Sequence, residues 1–234
     1  MRRLFMAGMI TFITLFCASV YAQIGVLALP EPQAGKEYTI LPTPVPTSEP
    51  NKIEVTEVFW YGCPHCYDLE PIINKWSKNL PADVHFVRMP ALFSKLWNIH
   101  GQLFITLDTL KVEDKLHSAV FESIRQRKNL LLTPEDMADF VAQHGVDKAK
   151  FLETYNSFGV QARMEKDKKV LNKYGITGVP AIIVNGKYRI DFNDNVAEPA
   201  DLMRVTNYLI EKERAALKPA NDSSVTEKAA ATAN

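Results

Sequence analysis

The sequence predicts an α/β domain interrupted by an all-helical insert, and three observations carry that prediction. An apolar, β-branched run from Ile53 to Trp60 hands over, at Gly62-Cys63-Pro64-His65-Cys66, to an amphipathic helical pattern. Residues 91–159 keep a helical pattern throughout and contain no strand signal. β chemistry then returns: Gly178-Val179-Pro180 opens Ala181-Ile182-Ile183-Val184, and Asn185-Gly186 is a strong hairpin turn.

Taken in order, the chain starts with a leader. Arg2 and Arg3 precede an uncharged apolar stretch, Leu4 to Cys17, and Val20-Tyr21-Ala22 places small residues where signal peptidase reads. At about 1.5 Å per residue the apolar stretch spans roughly 21 Å, short for a bilayer core of about 30 Å, which disfavours an uncleaved anchor. Residues 1–22 therefore read as a signal peptide cleaved after Ala22. Cleavage leaves a net charge of (27 − 2) − 27 = −2 and two of the three cysteines, Cys63 and Cys66. So small a net charge argues against a nucleic-acid or strongly membrane-surface role.

Residues 23–50 are proline-rich and read as an extended arm, with an edge strand over Glu37 to Leu41; Pro42, Pro44, Pro46 and Pro50 keep it out of any helix. After the Ile53–Trp60 strand, a helix is expected over Pro64 to Asn79, with Tyr67, Leu69, Ile72, Ile73 and Trp76 as its apolar positions, and Val84 to Met89 closes a βαβ unit. In the insert, helices are expected over Leu92–Leu110 and Asp114–Arg127. Thr133-Pro134-Glu135-Asp136 starts another, with a capping hydroxyl, proline at the first position and acids in the first turn, and Asp147 caps the next. Val160 to Tyr174 is a further helix ended by Gly175, Tyr188 to Ile190 is the hairpin's return strand, and Pro199 to Leu217 is the last helix. Residues 51–90 and 160–217 would thus form the α/β domain around the insert. Residues 218–234 lack an apolar face and read as a disordered tail.

The chemistry points to Cys63 and Cys66. A cysteine where a strand enters a helix aims its sulfur at the helix's unpaired N–H groups and positive dipole end, which favour the reactive thiolate. Pro64 suits the first helical turn, and His65 can add positive charge beside the sulfur. Zinc uses Cys-x-x-Cys too, but it needs about four ligands, and His85, His100, His117 and His144 are scattered without paired spacing. A structural staple closing so short a loop contributes only ~2 kcal/mol. Redox chemistry is the favoured reading. An exported protein meets an oxidising compartment, and this pair would be its only thiols. A cis bond at Val179-Pro180 would expose backbone for pairing with an extended substrate, whereas a trans proline would simply start a strand. Trp60 and Tyr61 suit either a substrate rim or aromatic core, and Trp76 and Trp97 are expected in the core.

Strand, Cys-Pro-His-Cys, helix, helical insert, Gly-Val-Pro and hairpin together resemble the DsbA family of periplasmic thiol:disulfide oxidoreductases, over about Lys36 to Leu217. The resemblance implies a thioredoxin-like fold, with Cys63 attacking, Cys66 resolving and Val179-Pro180 as a cis-proline site facing them. It also implies acidic modulators near the buried cysteine; Glu57 and Glu70 sit at matching distances from the motif, though no basic partner for them is evident in the sequence. The implied activity is disulfide formation in unfolded exported proteins with free thiols, through the Cys63–Cys66 disulfide and without metal or organic cofactor. A DsbB-like, quinone-linked membrane protein would reoxidise the pair. The alternatives are a disulfide isomerase or reductase, for which the short arm offers no dimerisation domain, and a non-catalytic periplasmic chaperone.

Overall fold

The computed structural model describes residues 30–217, so the expected leader over 1–22 and the tail over 218–234 lie outside the described residues. The order of elements is β1 (Thr39–Ile40), β2 (Ile53–Phe59), α1 (Pro64–Ser77), β3 (Val84–Pro90), α2 (Lys95–Thr109), α3 (Glu113–Arg125), α4 (Pro134–Gln143), α5 (Lys148–Tyr155), α6 (Phe158–Tyr174), β4 (Ala181–Val184), β5 (Tyr188–Asp191) and α7 (Pro199–Leu217). All belong to the unit that begins at Pro32. The five strands form one mixed sheet in the order β1-β5-β4-β2-β3. β2 and β3 run parallel, joined through α1, and the other pairings are antiparallel.

Local chemistry accounts for most boundaries. Thr133, Asp147 and Ser157 each accept a hydrogen bond from the backbone N–H three residues on, and so cap α4, α5 and α6. Ser94 does the same for α2, so that helix begins at Lys95 rather than at the expected Leu92. Gly175, at φ 62°, ends α6 in the left-handed conformation. Asn185 and Gly186 both take positive φ, 51° and 61°, as a tight hairpin with right-handed strand twist requires. Gly186 has a second reason to be glycine, since a Cβ there would collide with the Val45 carbonyl oxygen. That contact belongs to residues 32–50. They run extended along the β4–β5 hairpin, bonded through Leu41 N–H to Lys187 and Val45 N–H to Gly186, with Tyr38, Leu41 and Val45 buried. The expected edge strand shrinks to Thr39–Ile40, because proline at 42 and 44 removes the donors that would extend it.

Two apolar clusters organise the packing. One lies between the sheet, α1 and α7 and is aliphatic at its centre, with Ile53, Val55, Leu69, Ile73, Ile182 and Leu209 among its members. The other joins the upper end of β2 to the insert and α6 through Phe59, Phe104, Phe121, Phe151 and Met164, and it includes both cysteines. Two sequence expectations are corrected here. Ile72 is 41% exposed rather than on the apolar face of α1, because the buried face of that helix runs through Cys66, Leu69, Glu70 and Ile73. Trp76 and Trp97 are only half-buried: Trp76 spends its indole N–H on Asn207 of α7, and Trp97 stacks on Trp60 near the surface.

Candidate active site

The site forms where β2 ends. Cys63 occupies the N-cap position of α1, and its backbone N–H bonds back to the Trp60 carbonyl, which folds the intervening turn. The Trp60 ring lies over Gly62, where any Cβ would strike it. Pro64 is the first residue of α1, and Pro64 and His65 are exposed. Cys66, one turn in, is completely buried. Across from this helix end, the Val179–Pro180 bond is cis, and the Cys63 thiol lies 3.4 Å from the Val179 carbonyl oxygen. Residues 116 apart in sequence thus meet at one sulfur.

Both cysteines are free thiols, and their surroundings separate them chemically. The Cys66 thiol donates to the Cys63 sulfur, and this is the largest influence drawing Cys63 down from an ordinary 9.0 to about 6. Burial opposes it. The backbone N–H groups of Cys66 and His65 assist, and the His65 charge adds the smallest share. The sequence reading credited the helix terminus and His65; the contact inside the pair outranks both. Cys66 is pushed far up, first by burial and then by the same hydrogen bond and the charge of its neighbour. At neutral pH the pair is therefore a thiolate that keeps 8% exposure, backed by a thiol with none, the division of labour that thiol–disulfide exchange needs.

Beneath the pair lies a buried charged cluster, and it contains the basic residue that sequence reasoning did not find. Arg88 of β3 is the direct neighbour of Glu57 in the parallel β2–β3 register. Its guanidinium reaches Glu57 at 3.3 Å, Glu113 at 3.5 Å and Glu70 at 3.7 Å. His117 of α3 completes the group, with Nδ1 3.0 Å from Glu113 and 2.9 Å from the Tyr61 hydroxyl, and Nε2 3.4 Å from Glu70. Burial pushes the Glu57 carboxyl up to about 7, against the attraction of Arg88. Glu70 is buried and Glu113 half-buried, but hydrogen bonding to His117 and the Arg88 charge outweigh the desolvation and hold both below the usual carboxylate range. Burial works against charge on His117 as well, and its contacts to Glu113 and Glu70 overcome it and raise its pKa. The Glu57 charge is felt at Cys66, so the cluster and the pair are electrostatically connected. One sequence signal did point to Arg88: it is a lone arginine within the apolar strand Val84-His85-Phe86-Val87-Arg88-Met89. His117 had none, because nothing local distinguishes it from an exposed helical histidine.

The aromatic neighbours divide. Tyr61 is core, buried at 2% exposure and packed against Phe59 and Phe121. Trp60 is rim: it is half-buried, stacks on Trp97 at 4.6 Å, and donates its indole N–H to His100 Nδ1 at 3.1 Å. His100 in turn bonds the Leu130 carbonyl, tying the rim to the insert.

Comparison with known proteins bears directly on this site. A family described as DSBA-like thioredoxin domain matches residues 100–203, from the insert past the Val179–Pro180 turn into α7. The chain is 53% identical over 218 residues to a thiol:disulfide interchange protein DsbA of Pseudomonas aeruginosa, a match covering 93% of this chain and all of that protein. It is 49% identical over 216 residues to the corresponding protein of Azotobacter vinelandii, covering 92% and 100%. The crystal structure of Pseudomonas aeruginosa DsbA aligns with a TM-score of 0.75 and 58% identity, over 79% of this chain and 95% of that one. The oxidoreductase DsbA from Xylella fastidiosa aligns with a TM-score of 0.74 and 31% identity, over 79% and 98%.

Proposed function

The chain belongs to the DsbA family of thiol:disulfide interchange proteins and is a disulfide-forming oxidoreductase, and on that premise we propose how its residues divide the work. In the oxidised protein a client thiolate attacks Cys63 Sγ. The Cys63–Cys66 bond breaks, Cys66 leaves as a thiolate and takes up a proton, and a client–Cys63 mixed disulfide forms. The client's second thiolate then attacks the client sulfur of that bond. Cys63 departs as a stabilised thiolate, and the client keeps the new disulfide. Two electrons pass from the client's thiols to the pair.

The observation that carries this reading is the opposite perturbation of the two sulfurs, Cys63 drawn down to about 6 and Cys66 pushed up. A low-pKa sulfur is the better leaving group in the second step, and a high-pKa sulfur holds the proton it gains in the first. Glu57, which titrates near 7 and acts on Cys66, is suited to supply that proton, with Glu70 and Arg88 setting its charge balance. Val179 and Pro180 present the backbone beside which an extended client lies. His65 adds to the stabilisation of the Cys63 thiolate, and Pro64 opens the helix without an N–H to satisfy.

The same reading assigns the protein to the periplasm, with cleavage after Ala22, and takes unfolded exported proteins as its clients. The redox-active disulfide is the only prosthetic element, reoxidised by a DsbB-like, quinone-linked membrane protein. Trapping tests the division of roles. Cys66→Ser expressed in the periplasm should accumulate mixed disulfides through Cys63, visible on non-reducing gels and lost on reduction. Accumulation in Cys63→Ser instead would reverse the assignment.

A further inference from the structure

Cys63 lies between two grooves that carry opposite charge. On the cis-proline side is a cavity of about 410 Å³ lined by His65, Asp68, Val179, Pro180, Phe192 and Glu198. On the insert side a cavity of about 460 Å³ reaches Cys63 itself and is lined by Trp60, Leu96, Arg125, Arg127, Leu130 and Leu132. The Cys63–Val179 contact bridges the two.

Asp68 and Glu198 are both exposed, and neither forms an ion pair among the described residues. The same holds for Arg125 and Arg127. Arg125 has one contact, over the Tyr67 ring at 5.9 Å. Glu122, the acid one turn before it, is occupied by the Tyr67 hydroxyl and by Gln126. Glu198 lies just before the first turn of α7, where any acid is favoured by the helix dipole. Asp68 is in the second turn of α1 and has no such explanation. Four charges outside any ion pair are thus sorted by sign across the reactive sulfur, with His65 the one basic side chain lining the acidic side. The insert groove also exposes aliphatic surface, with Leu96, Leu130 and Leu132 at 40%, 44% and 42%.

We propose that this sorting reads clients by orientation: the favoured occupant is an extended, cysteine-bearing segment with a basic side chain on the cis-proline side of its cysteine and an acidic side chain, with aliphatic neighbours, on the insert side. The proposal rests on Cys63 being the attacked residue. An extended segment paired beside Val179 has a direction, so the order of the two charges along the client decides whether each meets its opposite or its like.

The test uses the oxidised protein and four capped single-cysteine peptides of otherwise identical sequence. Their charges, two residues to either side of the cysteine, are Lys then Glu, Glu then Lys, two Lys, and two Glu. The two mixed peptides have the same net charge, so general electrostatic steering cancels between them. Their second-order rates of mixed-disulfide formation should differ roughly tenfold at low ionic strength, as two exposed charge pairs switch from attractive to repulsive. The difference should shrink at about 0.5 M salt. Asp68→Asn with Glu198→Gln should reduce the ratio between the mixed peptides, and so should Arg125→Gln with Arg127→Gln. Equal rates for the two mixed peptides, or a ratio untouched by either pair of substitutions, would overturn the proposal. If none of the four peptides reacts faster with the wild type than with Cys63→Ser, the assignment of Cys63 fails instead.

Discussion

β2 is buried along its whole length, yet its two halves lie in different chemistry. Ile53 and Val55 face the aliphatic cluster under α1 and α7, with Leu69, Ile73 and Ile182. Glu57, two residues further on the same face, meets Arg88, and through it Glu70 and Glu113, while Phe59 beyond it packs against aromatic rings and His117. On that face the lower half stabilises by removing apolar surface from water, a non-directional gain of about 25 cal/mol per Å². The upper half gives up part of that gain to bury ions, whose desolvation is compensated only by mutual pairing. Its ions lie where the parallel strands end and the cysteines begin. The contrast teaches that one strand serves two purposes: its lower half holds the fold, and its upper half places ionisable groups beneath the cysteine pair.

The sharpest way to break the comparison is at the pair itself. Cys63→Ser should abolish transfer of disulfides to a dithiol peptide, and at pH 7 it should lower the thermal midpoint of the reduced protein by only several degrees, the share of the lost thiolate, measured by peptide oxidation and by calorimetry. Retained oxidase activity would mean the upper region does not act through that sulfur.

Next in size is Arg88→Met. Two buried carboxylates and the half-buried Glu113 would lose their guanidinium, and breaking such a set costs about 3–5 kcal/mol. The Glu57 midpoint should also move upward from about 7, because the attraction that restrains it is gone. Urea unfolding and carboxyl-carbon NMR read the two effects, and an unmoved Glu57 would dissociate Arg88 from proton control.

Ile53→Ala is the matching change below. It should cost about 3 kcal/mol as a buried large-to-small substitution, yet leave Cys63 ionising near 6, followed by thiolate absorbance. A shifted Cys63 would show that the two halves are not separable.

The smallest effect is a pH dependence. Cys63 ionises near 6 when folded against an ordinary 9.0. Its thiolate therefore stabilises the reduced form fully above pH 9, by about 1.4 kcal/mol at pH 7, and not at all below pH 6. Glu57 acts in the opposite sense: raised from 4.5 to about 7, it destabilises the fold as pH rises through that window. Subtracting oxidised from reduced stability removes the share of Glu57 that the two forms have in common and leaves the titration of Cys63, which the oxidised form lacks. That difference should grow by about 1.4 kcal/mol in favour of the reduced form between pH 5 and pH 7. A flat difference would remove the thiolate as a source of oxidising power.

What could be read from the chain followed the range of the forces involved. The helix starts at Thr133, Asp147 and Ser157 are settled by a side chain and an N–H three residues away, so the first two were legible as sequence and the third moved a boundary by only two residues. Cys63-Pro64-His65-Cys66 at the junction of a strand and a helix was legible for the same reason, and so was the Asn185-Gly186 turn. The buried cluster was only half legible. Glu57 and Glu70 lie near the motif in sequence, but Arg88 and His117 reach it from other elements.

The sequence alone therefore determined the alternation of strand and helix, the redox pair and the turn that faces it, because propensity, capping and turn chemistry act over a few residues. The tertiary structure decided which sulfur is the thiolate, which arginine answers Glu57, that Tyr61 is core while Trp60 is rim, and how charge is sorted across the grooves. Each of these depends on desolvation and on charges brought within about 4 Å by parallel strand register and by the packing of the insert, and neither is written in the spacing of residues along the chain.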